Sequence, residues 1–133
     1  MKAFSWHSGQ DKSRTVVVPQ GFVFTLDQVP NLFWSLVRPD EQILLPLILH
    51  EYLYWTQETT REEADQILRE AMAELSSATT AAVIYQAVRS FGDGAWKNMA
   101  KRRAAGERRI LTKFPEDPSV TWTDWRRREG VLQ

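Results

Sequence analysis

The chain has 133 residues, 43% hydrophobic and 26% charged, which suits one globular domain with a modest core. It contains no cysteine, which excludes a disulfide framework and a thiolate zinc site. Net charge is zero, yet residues 1–96 carry 7 Lys/Arg against 12 Asp/Glu (−5) and residues 97–133 carry 10 against 5 (+5), so an acidic body is followed by a basic tail that must dock on something.

In chain order, Phe4–His7 reads as a short strand, SGQDKS as a turn, and the β-branched TVVV (Thr15–Val18) as a second strand. Pro19-Gln20-Gly21 then turns the chain, and FVFT (Phe22–Thr25) is expected to pair back on TVVV. So few strands need helices beneath them. NLFWSLV (Asn31–Val37) predicts a short helix with Asn31 as N-cap, interrupted at Arg38-Pro39. Asp40 can cap the next helix, apolar nearly all round and therefore central, with Pro46 kinking it or marking its true start. The run ILLPLIL is too short to span a bilayer, and MKAFSWHSGQ lacks the apolar core of a signal peptide.

Thr60-Arg61-Glu62-Glu63 is a capping box ahead of a helix striped with Ala64, Ile67, Leu68, Ala71, Met72 and Leu75. Thr79 or Thr80 can cap the helix AAVIYQAVRSF, which Gly92 should end in a left-handed C′ position. Asp93-Gly94 reads as a turn before the basic helix AWKNMAKRR. After Gly106 the pattern fades. The expected architecture is α+β: a small β-hairpin on three or four helices in a compact domain over residues 1–106, then a C-terminal basic arm over residues 107–133.

The segments VPQGFVFTLDQVP (Val18–Pro30), HEYLY (His50–Tyr54), ADQILREAM (Ala64–Met72) and IYQAVRSFG (Ile84–Gly92) occur in an order that resembles a family of small phage and prophage proteins of unknown function. That family's pattern runs V-P-x-G-F-x-T-D-x-A-S-V-P, H-D-x-L-Y, A-D-x-x-F/L-x-x-A-M and M-Y-x-A-V-R-x-F-G. This chain departs from it at Phe24-Thr25, at Asp27-Gln28 and at Glu51, all near its polar positions. The resemblance implies an α+β fold and a phage origin, hence a protein made in the host cytoplasm and carried in the virion. Its partners would be other phage structural proteins or further copies of the chain.

Within HEYLY, His50 and Tyr54 share a helix face, while Glu51 points about 100° away. An H-D-x-x-Y helix resembles that of A2-type phospholipases, in which a histidine activates water, an aspartate holds calcium and a tyrosine supports the site. His50, Glu51, Tyr54 and Asp65 are therefore the candidate catalytic residues of a small hydrolase acting on envelope or cell-wall material, whether or not a metal assists it. The glycine-rich calcium loop and disulfides of those enzymes are missing. The alternative for His50 is a hydrogen bond to a neighbouring carboxylate that orients two helices. His7, at a strand end, reads as solvated, and Ser35, Ser76 and Ser90 lack a nucleophile-elbow context. No zinc-protease, P-loop or dinucleotide motif occurs, so no cofactor is indicated.

In the tail, Trp122, Trp125 and Arg126-Arg127-Arg128 form the candidate interface. Aromatics beside arginines suit a protein partner or single-stranded nucleic acid. The arm is expected to leave the domain and contact another chain through its tryptophans. The leading functional expectation is a virion component near the tail or head–tail connector. Small hydrolase is the alternative, and host-directed inhibitor the third reading.

Overall fold

A computed structural model describes residues 2–9, 13–25, 29, 31–36 and 41–133. The departure from the family pattern at Asp27-Gln28, the Arg38-Pro39 interruption and the Asp40 cap lie outside the described residues. Strands β1 (Phe4–His7) and β2 (Thr15–Val18) pair antiparallel, with Phe4 opposite Val18 and His7 opposite Thr15. Helix α1 covers Asn31–Leu36, so Asn31 lies inside it rather than ahead of it. Helices α2 (Glu41–Thr56), α3 (Arg61–Leu75), α4 (Ala78–Phe91) and α5 (Asp93–Ala104) follow, then the single turn α6 (Trp122–Trp125). The fold is α+β, a two-stranded hairpin on a helical body.

Helix α2 is the hub. Its Ile48, Leu49, Leu53, Tyr54 and Trp55 pack with Val18 and Phe22 on the hairpin side and with Ala64, Ile67 and Met99 of α3 and α5. A second cluster joins Leu47 of α2 to Leu68 and Met72 of α3 and Ile84 of α4, with Val88 half-buried against it. Apolar residues occur all round α2 because it has neighbours on several sides. Pro46 sits inside the helix, which begins five residues earlier at Glu41. At its other end Gln57 adopts φ 52°, its amide bonds the Leu53 carbonyl, and Arg103 of α5 donates to the last carbonyls, those of Trp55 and Thr56. The capping box of α3 forms as its sequence requires, with Thr60 accepting from the Glu63 amide and Glu63 accepting from the Thr60 amide.

Four local expectations are corrected. Phe22–Thr25 does not pair with Thr15–Val18, whose strand partner is β1. It pairs instead with the C-terminal segment: Val23 donates to the Arg109 carbonyl (2.7 Å), Leu111 to the Gly21 carbonyl (2.9 Å), and Phe22 bridges Ile110. The α4 cap is Ser77, whose hydroxyl accepts from the Thr80 amide, so Thr79 and Thr80 lie within the first turn. Gly92 is right-handed (φ −78°, ψ −13°), not left-handed. Asp93-Gly94 opens α5 rather than forming a turn, and Asp93 gives that first turn its negative charge beside Lys97.

The C-terminal residues are stitched to the body at both ends. Ile110 and Gln133 exchange backbone hydrogen bonds (2.9 and 2.7 Å), Thr112 donates to the Val131 carbonyl (2.8 Å), and Arg109 and Val131 are buried. Leu111 approaches Gly21 so closely that a Cβ there would lie 2.5 Å from the Leu111 carbonyl oxygen, and Gly21 also needs φ +88°. The compact unit thus takes in residues 107–112 and 131–133, while the stretch from Lys113 to Gly130, with Trp122 and Arg126-Arg127-Arg128, is mostly exposed.

Candidate functional site: a buried aspartate between three helices

The helical spacing i, i+4 puts His50 and Tyr54 on the same face of α2, and that face meets Asp65 at the start of α3. Asp65 is fully buried. His50 Nε2 donates to its Oδ1 (2.8 Å), and the Tyr54 hydroxyl donates to the same oxygen (2.7 Å). Arg89 of α4 donates to Oδ2 (2.9 Å), and Arg61, one turn before Asp65, reaches Oδ2 at 3.4 Å. Arg61 also donates to the Val88 carbonyl (3.1 Å), which already accepts from the Gly92 amide, and reaches the Arg89 carbonyl at 3.4 Å, so it braces the end of α4.

A buried carboxylate is costly unless paired, and here donors from three helices supply the pairing. Burial pushes the Asp65 pKa up, but the hydrogen bonds from His50, Tyr54 and Arg89 outweigh it and hold the carboxyl below its ordinary value. Burial together with the bond to Asp65 pushes the Tyr54 phenol well above its usual range. An ionised carboxylate only accepts hydrogen bonds, so His50 presents an Nε2 hydrogen to it.

Gly92 completes this corner. A Cβ at that position would lie 2.4 Å from the Tyr54 hydroxyl and 3.1 Å from Arg61 Nη1. Glycine is therefore required for close approach, a reason that only the fold reveals. His50, Glu51 and Tyr54 also border an apolar cavity of about 80 Å³, walled by Phe33, Leu47, Leu68, Val88 and Met99 among others. The His50 side chain retains 13% of its exposure.

Glu51 goes elsewhere. It is buried and accepts from the Thr25 amide (2.9 Å) and from Arg109 Nη1 (2.7 Å). Arg109 in turn stacks on Trp55, with its guanidinium carbon 4.5 Å from the ring centre. Four candidates chosen from sequence thus fall into two places: His50, Tyr54 and Asp65 form one cluster, while Glu51 joins the hairpin exit to the C-terminal segment. Among the described residues no group of three or more His, Asp or Glu side chains is placed to hold a metal ion. Sequence reading missed Arg61, Arg89 and Arg109. Arg61, four residues before Asp65, had a usable i, i+4 signal, whereas the other two meet their partners only through tertiary packing.

The interface candidates lie apart from this cluster. Trp125 Nε1 donates to the Lys113 carbonyl (2.9 Å) and its ring faces Arg128 at 4.8 Å. Trp122 is 41% exposed, with Arg126 at 5.9 Å from its ring, and Arg127 is exposed. No described helix is long and apolar enough to cross a membrane.

Among curated proteins and among solved structures, none matches this chain. A family profile does, over residues 2–88, a span that holds His50, Tyr54, Arg61 and Asp65 and stops short of Arg89 and Arg109. With more than half of its length matched, the chain belongs to the DUF1353 family of proteins of unknown function.

Proposed function

We propose that the chain is a phage structural or accessory subunit, a virion component near the tail or head–tail connector, built on a site that no longer supports metal-assisted hydrolysis. The observation that carries this reading is the Glu51–Arg109 pair. In an H-acid-x-x-Y helix the acid beside the histidine is the hard oxygen ligand for a cation. Here that carboxylate is buried against a guanidinium at 2.7 Å, so the protein's own cation takes the charge a metal would need. Asp65, the other acid, has both oxygens engaged by side chains of α2, α3 and α4. What remains is a rigid helical corner and an exposed aromatic, basic loop suited to contacting neighbouring subunits.

Mass spectrometry of purified particles tests this reading. The chain is expected in stoichiometric amount among the virion proteins, and its absence from intact particles would overturn the proposal.

A second reading has its own observation. His50, oriented by Asp65, borders an apolar cavity, which is the arrangement of a general base next to a small apolar hollow. On this reading the chain is a metal-independent hydrolase of envelope or cell-wall material, with His50 drawing a proton from water. Turnover of phospholipid or peptidoglycan that disappears in a folded His50→Ala variant would establish it. The leading reading predicts no such turnover, with or without calcium.

A further inference from the structure

The exposed C-terminal loop does not lie on a flat surface. Together with the end of α5 and Val23–Thr25 it walls a cavity of about 470 Å³, in the size range of small-molecule sites. Five arginines border it: Arg102, Arg108, Arg109, Arg126 and Arg128. Arg102 is paired with Glu107 (2.6 Å) and Arg109 with Glu51. Among the described residues Arg108, Arg126 and Arg128 have no carboxylate within ion-pair distance, and Arg109 Nη2 is buried with no acceptor. Trp122 contributes an aromatic wall.

We propose that this cavity binds a nucleoside phosphate, presented as one unit of a single-stranded nucleic acid. Three guanidiniums without carboxylate partners form a concave, positively charged site, and guanidinium forks match phosphate oxygens. The indole offers a flat face on which any base can stack. A carboxylate-rich peptide would use the charge but not the indole. A bilayer is flat and would leave a concavity of this depth unfilled. The adjoining hollow around Trp125 sets Glu116 and Asp117 against Lys113 and Arg128, whereas the Trp122 cavity sets Glu107 and Glu129 against five arginines, so the excess positive charge and the phosphate belong on the Trp122 side.

The test is a fluorescence titration of the full chain with an oligothymidylate of about 12 nucleotides, a length within the range one small domain covers. Parallel arms use thymidine monophosphate, inorganic phosphate and polyglutamate. Binding of the oligonucleotide is expected, with log affinity falling against log salt at a slope of roughly −0.7 for each phosphate that the site neutralises. Arg126→Glu and Trp122→Ala should each weaken it by roughly tenfold. Both side chains are exposed, so circular dichroism should show an unchanged fold. Arg69→Glu, on α3 and outside the cavity, should bind as the parent does. If thymidine monophosphate binds as well as the oligomer, per site, and responds to the same variants, the site takes free nucleotides and the nucleotide assignment stands. Equal binding of inorganic phosphate or polyglutamate would overturn it, as would no binding at low salt or indifference to both variants.

Discussion

Arg109 reaches from the C-terminal segment to the middle of α2, where its Nη1 lies 2.7 Å from the Glu51 carboxylate, with both side chains buried. Fifty-eight residues apart in sequence, the two close the molecule: Glu51 also receives the Thr25 amide, and Val23 receives its partner in the Arg109 carbonyl. The hairpin exit, the central helix and the C-terminal segment meet at this one carboxylate.

Removing one side of that pair leaves the other charge buried alone. Arg109→Ala should therefore cost about 3–5 kcal/mol, the range for breaking a buried ion pair, whereas replacing both partners with apolar residues of similar volume should cost much less. Urea denaturation of the single and double variants measures this. A loss below about 1 kcal/mol for Arg109→Ala would mean that water reaches Glu51 and screens it as it would a surface pair.

Gly92 makes a sharper steric prediction. Its right-handed backbone suits any residue, so on conformational grounds alone Gly92→Ala should be stabilising. The fold argues the opposite, because the added methyl would meet the Tyr54 hydroxyl at 2.4 Å. Tyr54 is held to Asp65 and cannot retreat without breaking a 2.7 Å hydrogen bond. Gly92→Ala is expected to destabilise by about 1–3 kcal/mol, as overpacked sites do. Gly92→Ala in a Tyr54→Phe background should recover part of the loss, which thermal denaturation can resolve.

The acid limb of stability should report Asp65. Its folded pKa lies below the ordinary carboxylate value, so the unfolded chain takes up the proton first as pH falls. The stabilisation is complete above the unfolded value of about 3.9 and is lost as pH drops through the lower folded value. Asp65→Asn removes that linkage. Its stability should be lower than the parent's at neutral pH, and the gap should narrow below about pH 4. The measurement is the denaturation midpoint of both proteins across that range, and a constant gap would show that Asp65 is not the residue responsible.

Much of the helical framework was legible in the sequence because its causes are local. The capping box at Thr60 and the stripe of Ala64, Ile67, Leu68, Ala71 and Met72 follow from spacing alone, and those five are buried, whereas Leu75, the last residue of the expected stripe, is exposed at the end of α3. His50 and Tyr54 shared a face for the same reason. Long-range pairing was less legible. Phe22–Thr25 has strand composition, but nothing local says that its partner is Arg109–Leu111 rather than Thr15–Val18. Gly92 followed the usual sequence signal for a left-handed cap, yet tertiary crowding is what demands glycine there. Arg89 and Arg109 looked like ordinary surface arginines, since no local pattern marks a basic residue that will meet a buried acid 24 or 58 positions earlier.

The exposed C-terminal loop can be separated from the fold because its two ends meet. Thr112 bonds the Val131 carbonyl through its amide (2.8 Å) and the Gly130 carbonyl through its hydroxyl (2.7 Å), and Ile110 pairs with Gln133. A chain entering at Thr112 and leaving at Val131 needs only a tight turn to connect them. Replacing residues 114–129 with a short Gly/Asn turn should keep the Ile110–Gln133 pairing and the buried Val131, and so leave the body folded by circular dichroism and near parental stability. Truncating residues 115–133 removes Val131 and the pairing partners of Ile110 and Thr112, and should destabilise the body. The two deletions differ in what they take from the core, so comparing them separates folding from assembly. If the loop carries the subunit contacts, the turn variant will be a stable monomer that fails to enter particles in a complementation assay, and Trp122→Ala with Trp125→Ala will reproduce most of that defect. Normal incorporation of the turn variant would move the assembly surface off the loop and onto the helical body.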